Sequence, residues 1–172
     1  MNFFYDTKGN NEALFEGIVN LIFHQSKKNI HQMTRVNLVD PRQLADQHLV
    51  AEYREIFMIG SALQRSLGSK AGVTDIPKYF TLNTGHIKFF YDKGEYLSKR
   101  YDCLIEEMKR RGMSPDPTRM FKREQWPDEL YNDWQPSVRD IEIIEQRLQQ
   151  KISEKPDWYR WTDPCPVSYT HL

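Results

Sequence analysis

Cysteine is scarce in this chain. Only Cys103 and Cys165 occur in 172 residues, with neither ligand-like nor disulfide-like spacing. This excludes a disulfide-stapled scaffold and fits a reduced, intracellular protein. Long apolar runs are missing too. None approaches the ~20 residues of a membrane span, so no membrane partner is expected. The first residues lack a basic start before an apolar run, and Asp6, Glu12 and Glu16 interrupt them, so no signal peptide is read there. A charge of one sign is also lacking. Lys+Arg and Asp+Glu both number 24, so there is no global basic field. A nucleic-acid partner would have to be met by a local basic face. No β-alternation, no internal repeat and no zinc-type ligand cluster stands out.

What is present is helical periodicity. The length suits one domain with one sizeable core, plus tails. Residues 1–32 have mixed character and read as an N-terminal extension; a short amphipathic helix could run from Glu12 to His24. A first main helix is expected from Asp40, an N-cap followed by Pro41, with Gln43 completing a capping-box-like pattern. Leu44, Leu49, Ile56, Ile59, Leu63 and Leu67 supply its inward stripe, with a break expected near Gly60. A second long helix is expected from about Gly85 to Arg111, stopped by Gly112 and perturbed at Gly94. Residues 113–135 hold Pro115, Pro117 and Pro127 and form a long connection. A third helix spans about Ser137 to Glu154, with Val138, Ile141, Ile144, Leu148 and Ile152 inward and Pro156 beyond it. The fold class is therefore all-α: a compact domain over residues 33–164 with three main helices and long connecting loops. Residues 165–172 fit neither helix nor motif and read as a non-native or disordered tail.

On residue type alone the chemical signal is weak. His48 and Glu55 are seven apart, nearly two helical turns, so both lie on one face with Glu52 between them. Arg54 sits about 100° away, on the flank. A lone His and Glu on a helix are ordinarily solvated or structural. Arg147 and Lys151 are four apart and share a helical face. His86 reads as structural or DNA-contacting, and Phe89, Phe90 and Tyr91 as core.

Separated blocks in a fixed order carry more. Met33-Thr34-Arg35-Val36-Asn37-Leu38 looks like a protein start inside a longer reading frame. Ala45-Asp46-Gln47-His48-Leu49 and Ala51-Glu52-Tyr53-Arg54-Glu55 follow it. Further on stand the block from Leu82 to Lys93, the run Tyr96-Leu97-Ser98-Lys99-Arg100, and a tail of Arg147, Lys151, Pro156, Trp158 and Tyr159. Together, over about Met33 to Trp161, these blocks resemble the pyrimidine dimer DNA glycosylases, the dimer-specific endonuclease V family.

The resemblance implies a DNA repair glycosylase with coupled abasic-site lyase activity. Its partner would be duplex DNA containing cyclobutane pyrimidine dimers or abasic sites, bound by a monomer in the cytoplasm at the nucleoid. Thr34 would supply the nucleophile through its α-amine, which titrates near ~8 and is partly neutral at physiological pH. Glu55 matches the catalytic carboxylate. Arg35, His48, Arg54, Arg147 and Lys151 match positions that hold DNA near the nucleophile. Trp158, Tyr159, Arg160 and Trp161 match an aromatic tail used at the damaged site. Imine chemistry needs no metal or cofactor. Three features depart from the family's phage member: Met58 replaces an arginine, Trp161 replaces a tyrosine, and the chain is neutral where that member is basic. If residues 1–33 stay attached, Thr34 has only an amide nitrogen, and the expectation becomes a damage-binding protein without catalysis.

Overall fold

In a computed structural model, residues 36–82 and 85–162 are described. The chain divides into two units, Met1–Met33 and Thr34–Leu172, and the described residues all belong to the second. They form helices and turns with no strand among them. The helices are α1 (Asp46–Glu55), α2 (Phe57–Leu67), the single turn α3 (His86–Phe89), α4 (Gly94–Arg110) and α5 (Val138–Glu154).

The first two expected helices are each broken, the first away from its expected weak point and the second directly before Gly94. Asp40 does act as a cap, its Oδ1 accepting from the Arg42 N–H at 2.9 Å, but it starts only a 3-10 turn, Pro41–Gln43. The helix then restarts at Asp46 and breaks again at Ile56, not at Gly60. Gly60 stays helical because the Trp126 ring lies against it; a Cβ there would fall 2.8 Å from Cη2. Gly94 plays the same part at the start of α4, where a Cβ would come within 2.7 Å of the indole. The buried Trp126 thus needs a glycine on each of two helices.

The expected helix from Gly85 to Arg111 is interrupted between Phe90 and Lys93. Lys93 folds back to donate to the Phe89 carbonyl at 2.8 Å and pairs with Asp92 at 2.6 Å. Its ammonium also lies 4.0 Å from the centroid of the Phe89 ring. Gly112, at φ 72°, ends α4 as expected. Ser137 opens α5 with a full capping box: its hydroxyl accepts from the Asp140 N–H, and the Asp140 carboxylate accepts from the Ser137 N–H at 2.9 Å.

The core lies where α1 packs on α4, with Ile144 and Leu148 of α5 also buried in it. Leu49, Ile56, Ile59, Leu63, Leu97, Leu104 and Ile144 are fully buried. Phe89, Phe90 and Tyr91 are core, as the sequence indicated. Two expected inward residues point out: Val138 is 74% exposed and Leu67 37%. Both sit at helix ends, where the inward stripe has no neighbouring element to cover it. The long connection is pinned by tyrosines. Tyr53 Oη donates to the Asp116 carbonyl at 3.2 Å, and Tyr101 Oη donates to that of Arg119.

Candidate active site

The face of α1 that carries His48, Glu52 and Glu55 runs from buried to open. His48 is 3% exposed and Glu52 0%, while Glu55 is half-buried. Glu52 is a foundation. Its Oε1 accepts from Arg100 Nε at 2.7 Å, and its Oε2 accepts from Arg100 Nη2 at 2.9 Å and from Asn37 Nδ2 at 2.9 Å. Arg100 also donates to the Val39 carbonyl at 2.6 Å. Burial alone pushes the guanidinium toward losing its proton, but the Glu52 charge outweighs that and raises its pKa. The fork geometry satisfies both carboxylate oxygens, which a buried charge requires.

Through Asn37 this pair reaches α5. Arg147 Nη1 donates to Asn37 Oδ1 at 3.1 Å. The amide of Asn37 therefore bridges the α1 carboxylate to an α5 cation, and it anchors the segment that leads back toward Thr34. Lys151, one turn beyond Arg147, pairs with Glu154 on its own helix at 2.8 Å and lowers that carboxyl's pKa. Arg54 is exposed on the flank of α1, and its carbonyl accepts from Arg119 Nη1 at 3.3 Å. Met58, in the first turn of α2, is 49% exposed.

The tail comes back to the start of α1. Ala45 cannot cap this helix with its side chain, and the Arg160 carbonyl takes the Asp46 N–H instead at 2.8 Å. This places Tyr159 on His48. The two rings stack with centroids 4.4 Å apart and planes 26° from parallel. Trp158 is 63% exposed, Arg160 is exposed, and Trp161 is half-buried.

The structure thus sets His48, Glu52 and Glu55 along one face of α1, with Tyr159 on His48 in its first turn and Arg147 joined to Glu52 through Asn37. Lys151 lies on the same α5 face as Arg147. Thr34 and Arg35, and Asn83-Thr84 of a family-like block, lie outside the described residues. Arg100 and Glu107 were missed as organising residues. Arg111 was missed as well: it donates to the carboxylates of Glu107 at 2.6 Å and Asp46 at 2.8 Å, and to the Leu44, Pro41 and Arg42 carbonyls. The i,i+4 spacing of Glu107 and Arg111 was the available signal. His86 is structural: its Nδ1 lies 2.8 Å from the Thr81 carbonyl and its ring packs edge-on to Phe80 and Phe90.

A cavity of about 570 Å³ opens elsewhere, between Pro41, Arg42, Pro136 and the α4 residues Tyr96, Lys99 and Cys103. Its cations Arg42, Lys99, Arg100 and Arg110 each face a carboxylate partner, so it offers no net positive site. No helix among the described residues is long and apolar enough to cross a membrane.

Residues 33–121, 89 of the 172, match the family model described as pyrimidine dimer DNA glycosylase. The match begins at Met33 and takes in Thr34, Arg35, His48, Arg54 and Glu55. Arg147, Lys151 and the aromatic tail lie beyond it.

Proposed function

The chain belongs to the pyrimidine dimer DNA glycosylase family, and from this we propose that a form beginning at Thr34 removes dimerised pyrimidines and then cuts the strand by imine chemistry. Family membership supports the glycosylase action on DNA. The shared α1 face of His48, Glu52 and Glu55, tied to Arg147 through Asn37 in the segment that follows Thr34, supports the finer reading. Thr34 precedes Asn37 by three residues, a reach of at most roughly 11 Å. Asn37 is bonded to Glu52, one turn from both His48 and Glu55.

The neutral Thr34 amine attacks C1′ of the dimer's 5′ nucleotide. The glycosidic bond breaks, and its electron pair leaves with the base. The sugar ring opens as an amine proton passes to the ring oxygen, leaving a protonated imine at C1′. That imine accepts the electron pair when a proton is removed from C2′, and the 3′ phosphate departs by β-elimination. Hydrolysis of the imine then frees the amine. Glu55 stabilises the cationic sugar in the transition state and serves the proton transfers. Arg35, Arg54, Arg147 and Lys151 hold phosphates, and Trp158, Tyr159, Arg160 and Trp161 stack at the lesion. The dimer is inaccessible in straight duplex, so binding pays for kinking the DNA and extruding a nucleotide.

The second reading rests on the residues in front of Thr34. With these attached, its nitrogen is an amide and cannot form an imine, which leaves damage binding alone. Borohydride trapping tests both readings. Protein beginning at Thr34 gives a covalent adduct with dimer-containing DNA that maps to its N-terminal peptide, and chelators do not prevent it. The 172-residue form gives none unless it is processed. An adduct on an internal lysine overturns Thr34 as nucleophile. Equal trapping from protein proven to keep residues 1–33 rules out the amine mechanism.

A further inference from the structure

We propose that Asp46 and Gln47 are positioning residues that fasten the aromatic tail to the first turn of α1 and so hold Tyr159 over His48. This rests on the reading of the tail as part of the lesion-binding site.

The tail meets these two residues through five hydrogen bonds. Gln47 uses both ends of its amide on one stretch of the tail: Nε2 donates to the Trp158 carbonyl at 2.6 Å, and Oε1 accepts from the Arg160 N–H at 3.0 Å. Asp46 contributes its own N–H to the Arg160 carbonyl at 2.8 Å. Its carboxylate accepts from the Thr162 N–H at 3.3 Å and from the Thr162 hydroxyl at 2.9 Å.

Two things make this more than a surface contact. The helix needs the tail, because Ala45 offers no side-chain cap and a tail carbonyl takes the Asp46 N–H. The clamp is also rooted in the core. Asp46 Oδ1 pairs with the buried Arg111, which is held in turn by Glu107 and three carbonyls. A continuous chain of polar contacts thus runs from Glu107 through Arg111 and Asp46 to Thr162. Between the anchored backbones of Trp158 and Arg160 stands Tyr159, with its ring on His48. His48 follows Gln47 directly, so one helical turn sets both ring positions. A glutamine is the side chain that fits. Glutamate at position 47 keeps the acceptor for Arg160 and loses the donor for Trp158.

The test has a structural arm and a recognition arm. The structural arm measures hydrogen exchange of the full chain for Gln47→Ala, Thr162→Val and Thr162→Ser. Gln47→Ala raises exchange at residues 158–162 roughly tenfold, since two modest hydrogen bonds are lost. Thr162→Val does so to a smaller degree, and Thr162→Ser, which keeps the hydroxyl, restores protection. Amides of α4 do not change. The recognition arm compares full-chain binding to duplex with one thymine dimer and to undamaged duplex. Gln47→Ala lowers the preference for the dimer several-fold while leaving undamaged binding and its salt slope unchanged, because no cation has been removed. A role confined to stability would weaken both duplexes alike.

Unchanged tail exchange in Gln47→Ala overturns the clamp. Looser exchange with unchanged dimer preference overturns its role in recognition. If the unaltered protein itself shows no dimer preference, the functional reading fails, and the clamp stands or falls on the exchange data alone.

Discussion

Glu52→Gln and Glu55→Gln make the same chemical change three residues apart on α1, and they separate fold from chemistry. The Glu52 carboxylate is fully buried and accepts from Arg100 Nε, Arg100 Nη2 and Asn37 Nδ2. Glutamine replaces one oxygen with an NH₂ group, which must face a donor of either Arg100 or Asn37. It also leaves a buried guanidinium without a countercharge. Breaking a buried pair in this way costs about 3–5 kcal/mol, a large part of the ~5–15 kcal/mol that holds a domain folded. A melting-temperature drop of roughly 10–15 °C follows for a domain of this size. Glu55 is half-buried, so its isosteric change costs about 1 kcal/mol or less in stability. Its loss removes negative charge where positive charge develops, and turnover on dimer DNA falls by ~10²–10³. Circular dichroism melts give the first quantity, and cleavage of a dimer-containing oligonucleotide by protein beginning at Thr34 gives the second. A double change of Glu52→Leu with Arg100→Met should recover much of the lost stability, because both charges then leave the core together. Glu52→Gln melting within about 2 °C of the parent would refute the buried pair as a keystone. Parental turnover in Glu55→Gln would remove Glu55 from the mechanism.

Other expectations follow from the same geometry. Arg147→Ala and Lys151→Ala each reduce the magnitude of the log–log salt slope of DNA binding by about one; an unchanged slope in the double variant means that this α5 face does not touch phosphate. Gly94→Ala pushes a methyl into Trp126 and Tyr131 and costs about 1–3 kcal/mol in denaturant melts despite the better helix propensity. The Glu107 carboxyl tends upward through burial, but the Arg110 and Arg111 hydrogen bonds prevail and lower its pKa. A depressed carboxylate stabilises fully above its unfolded value, near ~4.3, and loses that contribution as pH falls through the folded value. Melts from pH 6 downward therefore show the parent losing stability below about pH 4 more steeply than Glu107→Gln.

Capping signs are local, and the Asp40 cap and the Gly112 stop were legible because a cap involves groups within four residues. Helical periodicity gave the all-α class and most of the core, since burying an apolar stripe is the dominant favourable contribution in folding. The family blocks singled out Glu55 and His48 as candidates, which residue type alone could not. The break at Ile56 was not legible, whereas the one at Phe90–Lys93 falls directly before Gly94, where an irregularity was expected. The sequence marked Gly60 and Gly94 as weak points, but glycine records only that a side chain is missing. What filled the space was the Trp126 ring, brought from more than thirty residues away in the chain. Glu52 and Arg111 were hidden for the same reason. A buried ion pair looks in sequence like any two charges, and Arg100 lies 48 residues from Glu52. The tail could be matched to a motif, but its seat on Asp46 and Gln47 joins residues 111 to 116 positions apart. Sequence by itself determined the helical class and the broad helical segments, because those depend on short-range sterics and on apolar periodicity. Tertiary structure alone decided which charges were desolvated and which rings met, because both depend on distances that only the folded chain sets.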